Sequence, residues 1–186
     1  MNKTLFTSDL HINHKNLLKY CPETRPFENV AEMNDAMRTM WNETVGEYDH
    51  VYILGDVSLG GSKKNVINFL NSLNGLKHLV IGNHDLHLVG RGNNDFTKCF
   101  VEVEHYIDRK INGIAFKMFH YPIHNWHHCY RQDVIHLYGH MHGTPLPFLE
   151  PYRCMDVSLD ANGFKILTVE EIIDKMKDKQ VMLHQE

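Results

Sequence analysis

The chain lacks most of the features that would place it outside the ordinary globular class. No apolar run approaches the ~20 residues that a membrane-spanning helix requires. The opening Met1-Asn2-Lys3-Thr4-Leu5 is too short in apolar residues for a secretory leader and runs straight into a strand pattern. Only four cysteines are present (Cys21, Cys99, Cys129, Cys154), with no CxxC or zinc-knuckle spacing. That excludes a thiolate zinc framework and predicts reduced thiols in a cytoplasmic protein. Positive charge is also scarce, with 19 Lys+Arg against 23 Asp+Glu and a net charge of −4. Strong non-specific binding to nucleic acid or to anionic membranes is therefore not expected. A nucleotide substrate stays open, because bound divalent ions would supply local positive charge. Repeats and low-complexity tracts are absent, and 186 residues fit one domain over 1–186.

What the chain has in excess is histidine, 15 in all. Histidine is the commonest metal ligand, so the positions decide the meaning. Thr4–Thr7 reads as a buried strand ending at Ser8-Asp9-Leu10-His11. Apolar residues at helical spacing from Glu28 to Val45 predict an amphipathic helix. His50–Leu54 is a second strand, ending at Gly55-Asp56; a helix capped by Ser62 follows, with Asn74-Gly75 as its stop. Lys77–Ile81 is a third strand, broken by Gly82-Asn83-His84-Asp85. This order predicts a parallel core with helical crossovers.

Leu86–Lys98 reads as an exposed loop. Val101–Lys110 and Ile114–Phe119 read as a hairpin turning on Asn112-Gly113 and ending at His120. Val134–Tyr138 leads to Gly139-His140-Met141-His142, and Arg153–Leu159 and Phe164–Leu167 are expected to close a second sheet. Thr168 to Glu171 fits a capping box opening a last helix, through about Lys177.

Each polar cluster follows an apolar strand, and ligands bind at the carboxyl ends of strands in open α/β sheets. Asp9, His11, Asp56, Asn83, His120, His140 and His142 are therefore the candidate metal ligands. Carboxylate, amide and imidazole donors without thiolate favour manganese, iron, zinc or cobalt. The set is too large for one ion of ordinary coordination number. If Asp56 bridges, it suits two ions about 3.5–4 Å apart.

In the ordered set Asp9-x-His11, Gly55-Asp56, Gly82-Asn83-His84-Asp85, His120 and Gly139-His140-x-His142, the chain resembles the calcineurin-like metallophosphoesterase superfamily. Arg25-Pro26-Phe27 and His120-Tyr121-Pro122 resemble its small, uncapped prokaryotic or phage members. The resemblance implies an α/β fold: a two-sheet β-sandwich flanked by helices in four αββα layers, as in metallo-dependent phosphatases. It implies two divalent ions, manganese favoured, with iron, zinc, nickel or cobalt as alternatives. One ion would take Asp9, His11, Asp56 and His142; the other would share Asp56 and add Asn83, His120 and His140. His84 matches the catalytic histidine that is not a ligand, and Asp85 would orient its ring. Hydroxide bridging the two ions would attack phosphorus in line, with His84 stabilising or protonating the leaving oxygen.

Other residues admit two readings. His14 and Asn16 either face the site or sit as polar residues on a helix surface. Arg25 either binds a substrate phosphate or pins the Pro22–Pro26 loop to an acidic neighbour. His124, within the aromatic and basic segment Pro122–Arg131, is the expected substrate contact, while Trp126 is a hydrophobic anchor beside solvated His127 and His128. Arg91 is read as a solvated loop charge. The expected substrate is a small phosphoester, with a nucleotide-like phosphodiester favoured, hydrolysed by a monomer or homodimer. A phosphomonoesterase, a nuclease and a non-catalytic protein-binding module on the same scaffold are the alternatives.

Overall fold

In a computed structural model, which describes residues 2–90 and 94–182, the strand alternation decides where each core lies. Along β1 (Thr4–Thr7), Leu5 enters one apolar cluster and Phe6 a second. β2 (His50–Ile53) and β3 (Leu76–Val80) repeat the division, with Val51, Ile53 and Leu79 on one side and Tyr52 and Val80 on the other. Successive side chains point to opposite faces, so a strand that is apolar at every position is covered on both.

Helices cover the first face. α2 (Val30–Thr44) is capped by Asn29, whose side chain accepts from Glu32 N, so the helix starts two residues later than the apolar periodicity suggests. Its Met37 and Trp41 join Val66, Phe69 and Leu70 of α3 (Lys63–Asn71) in that cluster. Trp41 is fully buried and donates from Nε1 to the Asn74 carbonyl at 3.0 Å. Losing such a ring costs about 3–5 kcal/mol. Ser62 caps α3 as expected, but the helix ends at Asn71, and Gly75 instead makes the turn into β3.

The second face meets another sheet. β5 (Tyr106–Ile111) and β6 (Ile114–Phe119) form the hairpin turning on Asn112-Gly113, and β7 (Val134–Tyr138) and β8 (Cys154–Asp156) extend it in parallel. Phe116, Met118, Ile135 and Leu137 interlock there with Phe6, Tyr52, Val80 and α5 (Val169–Met176). Thr168 and Glu171 cap α5 reciprocally. On the far face of this sheet, Val134, Tyr138 and Cys154 lie under Trp126, Leu149 and Met182. The result is two mixed sheets flanked by helices, an α/β fold.

Three local expectations change. The arm expected over Val101–Lys110 breaks at His105: β4 (Glu102–Glu104) joins the first sheet beside β3, and only β5 belongs to the hairpin. Glu102 and Glu104 suit a charged edge strand, and His78 Nδ1 holds Glu102 at 2.8 Å. β9 (Leu167–Thr168) pairs antiparallel with β1, so the last strand also closes the first sheet rather than the second. Within Leu86–Lys98, the short helix α4 (Leu86–Val89) and a 3₁₀ turn at Thr97–Cys99 bury Leu88 and Phe96. Arg91 lies outside the described residues. α1 (Leu17–Tyr20) is a single turn beyond the first polar cluster. Among the described residues, no helix is long and apolar enough to cross a membrane.

Candidate functional site

β1, β2 and β3 run parallel in one sheet and β6 and β7 in the other, so their carboxyl ends meet at one rim. Backbone hydrogen bonds tie the emerging loops together: Asp9 N to Gly55 O and His11 N to Asp56 O at 3.0 Å, and Gly139 N to His120 O at 2.9 Å. The packing leaves no room for a side chain at Gly55. Its φ is +90°, and a Cβ there would strike the His120 ring and approach the Gly82 Cα to 2.7 Å. Asp9, His11, Asp56, His140 and His142 all have φ between +49° and +68°. Non-glycine residues rarely take that region, Asp, Asn and His most readily, and such conformations cluster at functional sites.

The structure brings the predicted donors together. Asp9, His11 and His142 offer ligand atoms within 4.8 Å of one another, and so do Asp56, His120 and His140. Asn83 Oδ1 lies 3.0 Å from His120 Nε2. His11 Nε2 stands 3.7 Å from both Asp9 Oδ1 and Asp56 Oδ2, His142 Nε2 3.6 Å from Asp9 Oδ1, and His120 Nε2 3.5 Å from Asp56 Oδ1. These distances are too long for good hydrogen bonds. Donors around one ion at about 2.1 Å sit roughly 3.0–3.4 Å apart, which is close to the spacing seen.

Two of these atoms, Asp9 Oδ1 and His11 Nε2, are buried without any hydrogen-bond partner. Buried polar atoms are normally satisfied, and an ion between the two would satisfy both. The donor set therefore fits divalent metal.

The surroundings aim the donors. His120 Nδ1 meets the Leu54 carbonyl at 2.7 Å and His142 Nδ1 meets Asp160 Oδ2 at 2.7 Å, which leaves each Nε2 toward the cluster. Ser8 Oγ and His140 N donate to Asp9 Oδ2 at 2.6 and 2.9 Å. Burial alone would push Asp9 up, but the imidazoles of His11, His142 and His120 draw its carboxyl below the usual range. Burial lowers His11 and His140, which disfavours their charged forms. His142 is raised: burial opposes its charge, but the Asp160 and Asp9 carboxylates outweigh it.

His84 is half-exposed beside the donors, its Nε2 3.9 Å from Asp56 Oδ2 and its backbone N donating to Asp56 Oδ1 at 2.9 Å. Asp85 departs from the expected role. Both of its oxygens accept backbone N–H groups, Gly82 and Asp56 on Oδ2 at 2.9 Å and Val57 on Oδ1 at 2.8 Å. It braces the loops that carry Asp56 and Asn83 rather than the His84 ring. Burial pushes its carboxyl up to about 6, against those three bonds.

Arg25 also departs from a phosphate-binding role, because it is buried and spent within the fold. Its Nε and one terminal nitrogen grip Asp160 at 2.9 Å each, and other donations reach the Leu10 and Asp9 carbonyls. The acidic neighbour of its second reading is thus Asp160. Sequence reasoning did not single out Asp160, which follows Val157-Ser158-Leu159 beyond β8 rather than a continuous apolar strand. Cys21 approaches His142 and Asp160, but those two are already bonded to each other.

An open cleft of about 730 Å³ lies over the donors, with His11, His84, His140 and His142 at its floor and Asn16, Tyr20, Leu59 and Met141 among its walls. Asn16 therefore faces it, as does His14, which burial and the neighbouring His11 and His84 push down to about 4. No lysine or arginine is among the described residues that line it. His124 is not brought there; it is exposed and stacks on Phe148, ring centroids 6.1 Å apart. Its segment is drawn to the far face of the second sheet by Trp126, which is buried against His136.

A family model described as calcineurin-like phosphoesterase matches residues 3–184. An uncharacterised protein of Methanocaldococcus jannaschii is 33% identical over 187 residues, covering 98% of this chain and 96% of that one. The gene 66 protein of Mycobacterium phage L5 is 41% identical over 88 residues, 46% of this chain and 41% of the phage protein. Among solved structures, a protein of unknown function from Aquifex aeolicus superposes with a TM-score of 0.74 over 95% of this chain and all of that one, at 22% identity.

Proposed function

Because the chain belongs to the calcineurin-like phosphoesterase family, and is thereby a metal-dependent phosphoester hydrolase, we propose that it acts on a nucleotide-like phosphodiester at a binuclear centre. The observation that carries the reading is the pair of facing donor groups, Asp9-His11-His142 and Asp56-His120-His140, whose buried Asp9 Oδ1 and His11 Nε2 have no protein partner. Asp56 would serve both groups, and Asn83 would complete the second. Two divalent ions, manganese first among them, would supply an activated water and offset the phosphoryl charge.

The chain's own residues do the rest. Water adds its oxygen to phosphorus and gives up a proton to solvent, the bond to the leaving oxygen breaks, and a protonated His84 delivers its proton to that oxygen before regaining one from solvent. A diester carries one negative charge where a monoester carries two. A cleft walled by Tyr20, Leu59 and Met141, with no lysine or arginine among the described residues that line it, suits the former. Asn16 offers an amide to the substrate's substituent from the same wall. The reading takes the enzyme as a single cytoplasmic domain, monomeric or homodimeric.

Turnover of bis-p-nitrophenyl phosphate against p-nitrophenyl phosphate, with manganese at known stoichiometry, tests this reading. Two bound ions and faster diester cleavage support it. Faster monoester cleavage refutes the diester preference, and bound metal without turnover of any phosphoester refutes the activity.

A further inference from the structure

A metal-binding imidazole must present a bare nitrogen, and the partner of its other nitrogen decides whether it does. The Leu54 carbonyl and the Asp160 carboxylate can only accept, so His120 and His142 keep their protons on Nδ1. His11 has no such partner. Its Nδ1 lies 3.3 Å from Nδ1 of His14, a ring that can either give or take a proton.

Resting on the metal-dependent reading above, we propose that His14 is the positioning residue of His11 and, through the same arrangement of protons, a hydrogen-bond donor to the substrate. For His11 Nε2 to be bare, its proton must sit on Nδ1 and His14 Nδ1 must accept it. The proton of His14 then sits on its own Nε2. No group among the described residues accepts from that nitrogen, and the ring lines the cleft. One non-bridging phosphoryl oxygen of a bound diester is the acceptor that this N–H awaits.

The pair is built rather than incidental. His14 N donates to His11 O at 3.0 Å, closing a tight turn in which Asn13 has φ +64°. Asn13 is itself held to α2 by a reciprocal amide pair with Asn34, at 2.8 Å for Asn34 Nδ2 to Asn13 Oδ1 and 3.3 Å for Asn13 N to Asn34 Oδ1. A solvated surface histidine needs no such clamp.

Two variants separate the two roles. His14→Asn places an accepting Oδ1 near the position of Nδ1 but has no distal N–H, whereas His14→Ala removes both. In the zinc-loaded wild type, imidazole ¹H–¹⁵N spectra are expected to show His11 protonated on Nδ1 and His14 on Nε2. Zinc affinity, measured by chelator competition, should fall about 10–100-fold in His14→Ala and stay close to wild type in His14→Asn. The kcat/KM for bis-p-nitrophenyl phosphate should fall in both, by about tenfold or more in His14→Asn.

A zinc-loaded wild type with the His14 proton on Nδ1, or His14→Ala with wild-type zinc affinity, overturns the positioning role. Wild-type kcat/KM in His14→Asn overturns the donor role. If His14→Ala does not fold, the wild-type tautomers and His14→Asn decide between the same outcomes. A wild type that takes up no zinc overturns the metal-dependent reading itself, and the proposal with it, before any variant is made.

Discussion

Arg25 and Asp160 form a two-point ion pair with both side chains fully buried, and the same carboxylate accepts a hydrogen bond from His142 Nδ1. Removing one member of a buried pair strands the other, at about 3–5 kcal/mol. Arg25→Ala is expected to lose that much in urea unfolding. Arg25→Lys should recover only part, since a lysine cannot reproduce the fork.

Asp160→Asn keeps the shape but weakens the hold on His142. A partner one bond removed from a ligand typically changes affinity 10–100-fold. Chelator competition should show that loss, together with a lower unfolding midpoint, because the change also strips the buried Arg25 of its counter-charge.

His84 touches the donor cluster without being counted in either donor group. His84→Ala should therefore retain metal by elemental analysis while kcat falls about 10²–10⁴-fold. Metal loss in parallel with activity would remove its role as proton donor.

Asp85 predicts the opposite pattern. Three backbone N–H groups depend on its two oxygens, and a buried donor left unsatisfied costs about 1–3 kcal/mol. Asp85→Ala should lower the melting temperature and the metal content together. A variant of native stability, defective only in kcat, would return Asp85 to the role of orienting His84.

Acid should destabilise the fold through His136. It is fully buried under Trp126, and burial pushes its pKa down to about 4, against an ordinary value near 6.5. The unfolded chain thus binds the proton more readily than the folded one. The stabilisation is complete above about pH 6.5 and is lost as pH falls toward 4, by up to roughly 1.4 kcal/mol per pH unit. The difference in urea stability between wild type and His136→Gln, measured from pH 7 to pH 4.5, should follow that slope.

The strands and the donors were legible because both obey local rules. Leu5 and Phe6, or Val51 and Tyr52, announce a strand covered on both faces, and a carboxylate or imidazole directly after such a run marks the rim. What escaped depends on partners far along the chain. Nothing near Glu102 says that it will pair with His78, 24 residues away, rather than continue into β5. Nothing near Arg25 says that Asp160, 135 residues on, will claim its guanidinium. His124 misled for a related reason, since Trp126 follows the far core and takes the segment with it.

The left-handed backbone of Asp9, His11, Asp56, His140 and His142 bears on how inactive controls should be made. Alanine at these positions removes a donor and also installs a residue that takes that backbone less readily than aspartate or histidine. A conventional alanine scan would thus mix folding defects with lost coordination and overstate each ligand. Glycine tolerates the conformation, so Asp9→Gly or His140→Gly comes closer to reporting the missing lone pair alone.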